Sequence, residues 1–261
     1  ASNTGKRAQV NMGAKNHAIV MPDADKEDTI NAIIGACFGS AGQRCMAITT
    51  TVFVGESADW IPEIVERTKT LSLGPGHENP DIGPMNNKTA LERANRLLDP
   101  SNNVGAKMLM DGRNAKVDGY PNGNWLGPSM YDHVEPGNSV YDEELFAPVF
   151  VAVRRNTLSE AIQFLNDNQY GNGVAIFTRS GGNARKFQHE VEAGQIGINL
   201  PIPVPLPMFS FTGNKASMWG TANFYGKGAV TFNTQWKTVT ARWKEESDEA
   251  QKLSTEMPVL K

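Results

Sequence analysis

The stretch INAIIGACFGSAGQRCMAITTTVFV (Ile30–Val54) decides the fold class, because it joins an amphipathic helix to a buried strand through a glycine-marked turn. Ile30, Ile33, Ile34, Cys37 and Phe38 recur at helical spacing and share one face. Gly42 ends the helix, Asp23 and Asp25 supply cap or first-turn residues at its other end, and Ala47–Val54 has the β-branched run of a buried strand. Cys45 therefore falls on the turn between helix and strand, beside the permanent cation Arg44. A guanidinium next to a thiol favours the thiolate, which is the nucleophilic form. Spacing alone leaves two readings of Cys45 open, a catalytic nucleophile and a small core residue. Cys37 lies on the apolar helix face and reads as core.

Working outward, Ile19-Val20-Met21 is a short apolar strand ahead of the helix, which spans about residues 25–40. Ser57 is a cap candidate for a helix carrying Trp60, Ile61, Ile64 and Val65, and Lys88–Leu98 reads as a surface helix. Ala106–Met110 reads as a strand, and the glycine-rich residues 112–127 as a loop or hairpin excursion. Val149–Val153 is a strand, Thr157-x-x-Glu160 a capping box, and Ala161, Ile162, Phe164 and Leu165 populate the helix it starts. Strand Gly173–Thr178, helix Asn183–Glu192 and strand Gln195–Asn199 continue the alternation. Strands separated by helices predict an α/β fold, a mainly parallel open sheet with helices on both faces. Val230–Trp243 (VTFNTQWKTVTARW) reads instead as one long strand with two usable faces, an association hazard if its edge stays open. Lys244–Lys252 reads as a charged, solvated tail.

Composition narrows the class. The 261 residues, 39% hydrophobic and 20% charged, supply one sizeable core. A net charge of -3 gives no electrostatic reason to expect nucleic acid. The longest apolar runs fall short of the roughly 18 residues that cross a bilayer, so no membrane role is expected. Cys37 and Cys45 lie eight residues apart on different elements, and His17, His77, His133 and His189 show no paired spacing. Neither a disulfide framework nor a metal site is expected. Apparently unpaired cysteines favour a reducing compartment, the mitochondrial matrix in a eukaryote or the cytoplasm in a bacterium.

Four motifs occur in a fixed order: Met12-Gly13-Ala14-Lys15-Asn16, Gly42-Gln43-Arg44-Cys45, Glu143-Glu144-Leu145-Phe146-Ala147-Pro148-Val149 and Phe211-Thr212-Gly213-Asn214-Lys215-Ala216-Ser217. In order and spacing they resemble the signature stretches of NAD-dependent aldehyde dehydrogenases, over about residues 1–245. Ala147 replaces the usual Gly. The proline-rich run Asn199–Phe209 points to the methylmalonate-semialdehyde (malonate-semialdehyde) branch of that family. Read by itself, the run is an extended segment after a strand.

The resemblance implies a division of the chain. Residues 1–15 would end a dinucleotide-binding domain, 16–205 form the catalytic domain, 206–230 a return segment, 231–244 an oligomerisation strand and 245–261 the charged tail. Most of the dinucleotide-binding domain would lie outside the chain, and no G-x-G-x-x-G or P-loop appears in it. The expectation is a fragment of a longer protein or one product of a split gene, inactive alone.

The resemblance also assigns chemistry. Cys45 would attack the aldehyde carbon to give a thioester once hydride has passed to NAD, its backbone N–H helping to hold the oxyanion. Glu144 would accept hydrogen bonds from the nicotinamide-side ribose, and Phe146 would pack near the nicotinamide. Asn11 stands where hydrolytic members carry the Glu that activates water, so coenzyme A becomes the expected acyl acceptor. Arg44 would either bind the substrate's carboxylate or only tune Cys45 and pair elsewhere. The implied partners are a small aldehyde, CoA and further copies of the chain through the C-terminal strand. The alternatives are a hydrolytic aldehyde dehydrogenase and a non-catalytic assembly fragment.

Overall fold

The computed structural model describes residues 2–220, 223, 225–241, 243 and 255. In chain order its strands are β1 (Val10–Asn11), β2 (Asn16–Val20), β3 (Ile48–Val54), β4 (Lys107–Met110), β5 (Ser129–Asp132), β6 (Val149–Arg155), β7 (Tyr170–Gly171), β8 (Gly173–Phe177), β9 (Gln195–Ile198), β10 (Asn214–Lys215) and β11 (Met218–Trp219). Its helices are α1 (Lys26–Phe38), α2 (Ile61–Thr68), α3 (Lys88–Leu97), α4 (Ser139–Asp142), α5 (Leu158–Asn166), α6 (Gly181–Glu190) and α7 (Lys227–Asn233). Seven strands form one sheet in the order β4-β5-β6-β3-β2-β8-β9. Every neighbouring pair in it is parallel except β4 with β5. The expected α/β class is what forms.

Strand alternation sends successive side chains into two separate cores. Ala18 and Val20 of β2 pack with Ile30, Ile33, Cys37 and Phe38 of α1 and Ile64 of α2. Ile19, between them, packs on the opposite face with Ala94 and Leu97 of α3, Ile162 and Leu165 of α5 and Phe187 of α6. β2 and β3 are buried along their whole length: β3 reads as a continuous β-branched and apolar run, while β2 opens with the buried polar pair Asn16-His17 before Ala18-Ile19-Val20. Truncating a fully buried side chain such as Ile33 to Ala should cost about 2–5 kcal/mol.

Local signals set the helix starts. Asp25, Asn87, Thr157 and Ser180 accept the N–H groups of Asp28, Ala90, Glu160 and Asn183. The Glu160 carboxylate accepts from Asn156, one residue earlier than a strict capping box requires. Ser57 does not cap: its hydroxyl is tied to the Val20 and Val54 carbonyls, a 3-10 turn over Gly55–Trp60 intervenes, and α2 starts at Ile61. β5 (SMYD) and α4 (SVYD) are short and mix polar with aromatic residues, so neither leaves a periodic signal.

The C-terminal expectation is corrected. Val230–Asn233 belong to helix α7, and among residues 234–241 and 243 there is no strand. Residues 233–241 are exposed, with Trp236 fully so. Without a neighbouring edge to hydrogen-bond to, β propensity has nothing to act on. Arg7 instead donates to the Thr231, Phe232 and Thr234 carbonyls at the end of α7. Residues 245–254 and 256–261 of the expected tail lie outside the described residues. No helix among the described residues is long and apolar enough to cross a membrane.

Candidate active site

The Cys45 turn begins with an unusual backbone. After α1 ends, Ser40, Ala41 and Gly42 take φ values of 54°, 52° and 66°, three left-handed residues in succession. For Gly42 the reason is contact as well as conformation, since a Cβ there would lie 2.1 Å from the Ala147 carbonyl oxygen. The Cys45 turn thus abuts the Glu143–Val149 motif through backbone. Arg44 folds back across Gly39, and its Nη2 donates to the Gly35 and Ala36 carbonyls at 2.7 and 2.9 Å. The guanidinium thereby adds a charged donor to two carbonyls in the last turn of α1, of which Gly35 also accepts the Gly39 N–H. Gln43 ties the turn to the loop before α3, donating to the Pro84 carbonyl at 3.2 Å and accepting from the Asn86 N–H at 2.7 Å.

Cys45 is exposed, and its own carbonyl is held from below. The side-chain amides of Asn16 and Asn172 each donate to it at 2.9 Å. Cys37 is buried with its thiol on the Val149 carbonyl, and burial pushes that thiol up and keeps it protonated. The two cysteines divide as the sequence suggests, one reachable and one inert.

The Glu143–Pro148 segment is held by cations. Buried Lys15 donates from Nζ to the Val140 and Glu143 carbonyls at 2.6 and 2.9 Å, closing the end of α4. Arg93 of α3 donates to the Glu144 and Leu145 carbonyls and to the Glu143 carboxylate at 3.1 Å. Burial brings Lys15 down to about 7, opposed by the charges of Glu144 and Asp142. The half-buried Glu144 carboxyl is raised by burial, opposed by an Ala14 backbone hydrogen bond and by Arg93 and Lys15. Phe146 has φ of 52° and is 41% exposed, a bulky residue in left-handed backbone. Such strain persists only where surrounding contacts impose it, and it concentrates at functional sites.

Cys45, Arg44, Glu144 and Phe146 all line one small cleft, together with Ala14, Asn16, Gly42, Ala47, Thr49 and Leu145. The cleft lies at the amino ends of parallel strands: Cys45 precedes β3, Glu144 and Phe146 precede β6, and Asn16 opens β2. Ligands of open parallel sheets more often sit beyond the carboxyl ends. Asn11 is not among the lining residues; it sits on β1, opposite Met218 of β11. The Phe211–Ser217 motif lies outside the seven-stranded sheet. Asn214 and Lys215 pair with Gly171 and Tyr170, the Gly171 N–H donates to Ser217, and Thr212 donates to the Gly194 carbonyl.

Sequence reasoning missed Asn172, Arg93 and the positioning parts played by Asn16 and Lys15. Asn172 stands between two glycines and looks like turn chemistry. Arg93 looks like any cation on a surface helix. Asn16 carried a signal that went unused, an amide opening a strand that is otherwise wholly apolar apart from His17.

A half-buried glutamate and an exposed cysteine thus share one cleft on a mostly parallel α/β sheet. The chain belongs to the aldehyde dehydrogenase family, which residues 1–239 match. It is 52% identical over 260 residues to the mitochondrial methylmalonate-semialdehyde/malonate-semialdehyde dehydrogenase [acylating] of Bos taurus, covering 99% of this chain and 48% of the bovine protein. The mitochondrial methylmalonate-semialdehyde dehydrogenase [acylating] of Arabidopsis thaliana is 55% identical over 246 residues, 94% of this chain and 40% of the plant protein. Among solved structures, one assigned as a methylmalonate-semialdehyde dehydrogenase from Sinorhizobium meliloti 1021, complexed with NAD, superposes with a TM-score of 0.91 at 44% identity. That match covers 95% of this chain and 51% of the bacterial one. The chain spans about half the length of the curated relatives it matches.

Proposed function

We propose that this chain is the catalytic portion of an NAD-dependent, CoA-acylating dehydrogenase that oxidises methylmalonate or malonate semialdehyde. The observation that carries the reading is the convergence of Cys45, Arg44, Glu144 and Phe146 on one cleft. The names of the bovine and Arabidopsis relatives favour the acylating branch. The residues present suit the nicotinamide end of NAD: Glu144 offers acceptor oxygens from a half-buried position, and Phe146 offers an exposed ring beside it. When bound, NAD supplies a hydride acceptor.

Cys45 Sγ adds to the aldehyde carbon, and the carbonyl pair moves to oxygen, toward the Cys45 N–H. Collapse of that adduct expels the hydride with its electron pair and leaves a thioester on Cys45. In the semialdehyde substrates the carboxylate leaves as carbon dioxide, its bonding pair passing to the neighbouring carbon, which takes up a proton. A CoA thiolate then displaces Cys45 Sγ to give propionyl-CoA or acetyl-CoA. A thiol with pKa near 8.5 is a few per cent ionised at neutral pH, so CoA needs no strong base. Asn11 has no ionisable group, and the competing hydrolysis loses general-base assistance commonly worth roughly 10²- to 10⁴-fold.

Arg44 has two roles in this reading. Nη2 secures the turn to α1, and Nη1, which makes no hydrogen bond among the described residues, is the atom offered to a substrate carboxylate. The part of residues 231–244 that follows α7 pairs with another copy of the chain, where the exposed residues 234–241, rich in β-branched and aromatic side chains, find the edge they lack here. The compartment is the mitochondrial matrix if the source is eukaryotic, in keeping with the relatives' names; in a bacterium it is the cytoplasm. The chain alone, half the length of its relatives, does not turn over.

The deciding experiment follows products in a complete enzyme carrying this sequence. Fast turnover with CoA, giving an acyl-CoA, and slow turnover without it are expected. Free acid formed equally fast without CoA would replace the acylating reading with the hydrolytic one. Asn11→Glu should raise CoA-independent acid release if the new carboxylate reaches the attacking water.

A further inference from the structure

Beneath Cys45 lies a buried amide network that the reaction scheme does not use. Asn16 and Asn172 are 3% and 6% exposed and come from segments 156 residues apart in sequence. Asn16 is fully satisfied. Its Nδ2 donates to the Cys45 carbonyl at 2.9 Å and to the Ala47 carbonyl at 3.0 Å, while its Oδ1 accepts from Gly173 N–H at 3.1 Å and from Asn172 Nδ2 at 3.3 Å. Asn172 Nδ2 also donates to the Cys45 carbonyl and faces the Met46 sulfur at 3.1 Å. A carbonyl oxygen has two lone pairs, and two side-chain amides converge on this one.

We propose that Asn16 and Asn172 are positioning residues for Cys45: together they fix its carbonyl and so hold the 44–47 turn in the one conformation that presents Sγ to the cleft. The turn closes with the Ala47 N–H on the Arg44 carbonyl at 3.0 Å. Cys45 and Met46 are its central residues, and neither belongs to a helix or strand. Pinning the Cys45 carbonyl fixes the torsion between its Cα and the next peptide, which sets the direction of its Cα–Cβ bond. Donors from strand starts in the sheet supply that rigidity, because β2 and β8 are buried and paired on both sides. Both donors are uncharged amides, so the hold does not vary with pH. A misplacement of about 1 Å at a reacting atom can cost on the order of 10²-fold in rate.

The proposal rests on Cys45 being the nucleophile, and the test separates the two ideas. In the full chain, Asn172→Leu should speed hydrogen exchange of the Ala47 amide at least tenfold while amides of β2 and β8 keep their protection. In a complete enzyme carrying this sequence, the same variant should lose 10- to 100-fold in kcat, with KM for aldehyde and for NAD within about threefold. Asn172→Asp, equal in volume but without the donors, should behave alike if the leucine variant fails to fold. Unchanged Ala47 exchange and unchanged kcat in a folded variant would overturn the proposal. Turnover retained by Cys45→Ser would instead remove the nucleophile reading, while the exchange result would still report on the clamp.

Discussion

The two segments that meet at the cleft are held by opposite kinds of chemistry. The Cys45 turn is fixed by neutral groups: the amides of Asn16, Asn172 and Gln43 and a run of left-handed backbone ending at Gly42. Arg44 adds charge there, with Nη2 on two carbonyls at the end of α1. The Glu143–Pro148 segment is fixed by two cations, buried Lys15 and half-buried Arg93, acting on its carbonyls. Neutral hydrogen bonds contribute about 1 kcal/mol each and charged ones about 1.5–3. The difference places the reacting thiol on a mount whose geometry is independent of pH. It places the proposed cofactor-facing residues on one that responds to charge.

The largest expected effect breaks the contact between the two segments. Gly42→Ala would force a Cβ against the Ala147 carbonyl at a left-handed position, combining backbone strain and overpacking for a loss of about 3 kcal/mol or more in urea unfolding. A loss under about 1 kcal/mol would show that the segments do not touch as described. Next in size, Arg93→Leu should cost about 1.5–3 kcal/mol by removing charged donors from the Glu144 and Leu145 carbonyls. Exchange should rise at residues 143–146 and not at Ala47. A uniform rise in both would erase the distinction between the mounts.

Lys15 gives the contrast a pH signature. Its folded pKa of about 7 lies below the unfolded value of 10.5, so between those values the unfolded chain binds the extra proton and stability climbs with pH. The stability of the chain relative to Lys15→Met should be level below pH 7 and then rise, by at most about 1.36 kcal/mol per unit, toward pH 10.5. A flat difference through that window would mean that Lys15 keeps an ordinary pKa. The smallest effect belongs to the Cys45 side: Ser40→Gly, exposed at φ of 54°, should relieve left-handed strain and stabilise the chain by about 0.5–1 kcal/mol. Destabilisation there would place the strain elsewhere.

Much of the fold was legible in sequence. Helix α1 and strand β3 follow from one apolar face and one β-branched run, and both interiors are buried where periodicity placed them. Cys45, Arg44, Glu144 and Phe146 were named from motifs and meet in one cleft. β5 (SMYD) and α4 (SVYD) escaped because neither short segment carries the apolar run or alternation that marks the equally short β4 (KMLM) and β9 (QIGI). The long C-terminal strand was expected from composition and does not form among the described residues, since a strand is a property of a pair.

The sequence by itself determined the α/β alternation, the family and the burial of Cys37 on the apolar helix face. These rest on local spacing, on residue type and on motif order, all of which a linear chain displays. Tertiary structure alone decided which groups hold the site. Arg93 clamps the Glu144 segment, Arg44 turns to the end of α1, and Asn16 and Asn172 meet on one carbonyl from segments far apart in the chain. A side-chain amide or guanidinium carries no mark of its eventual acceptor. That acceptor is a backbone oxygen, identical at every residue, and only the folded path of the chain selects which one comes within reach.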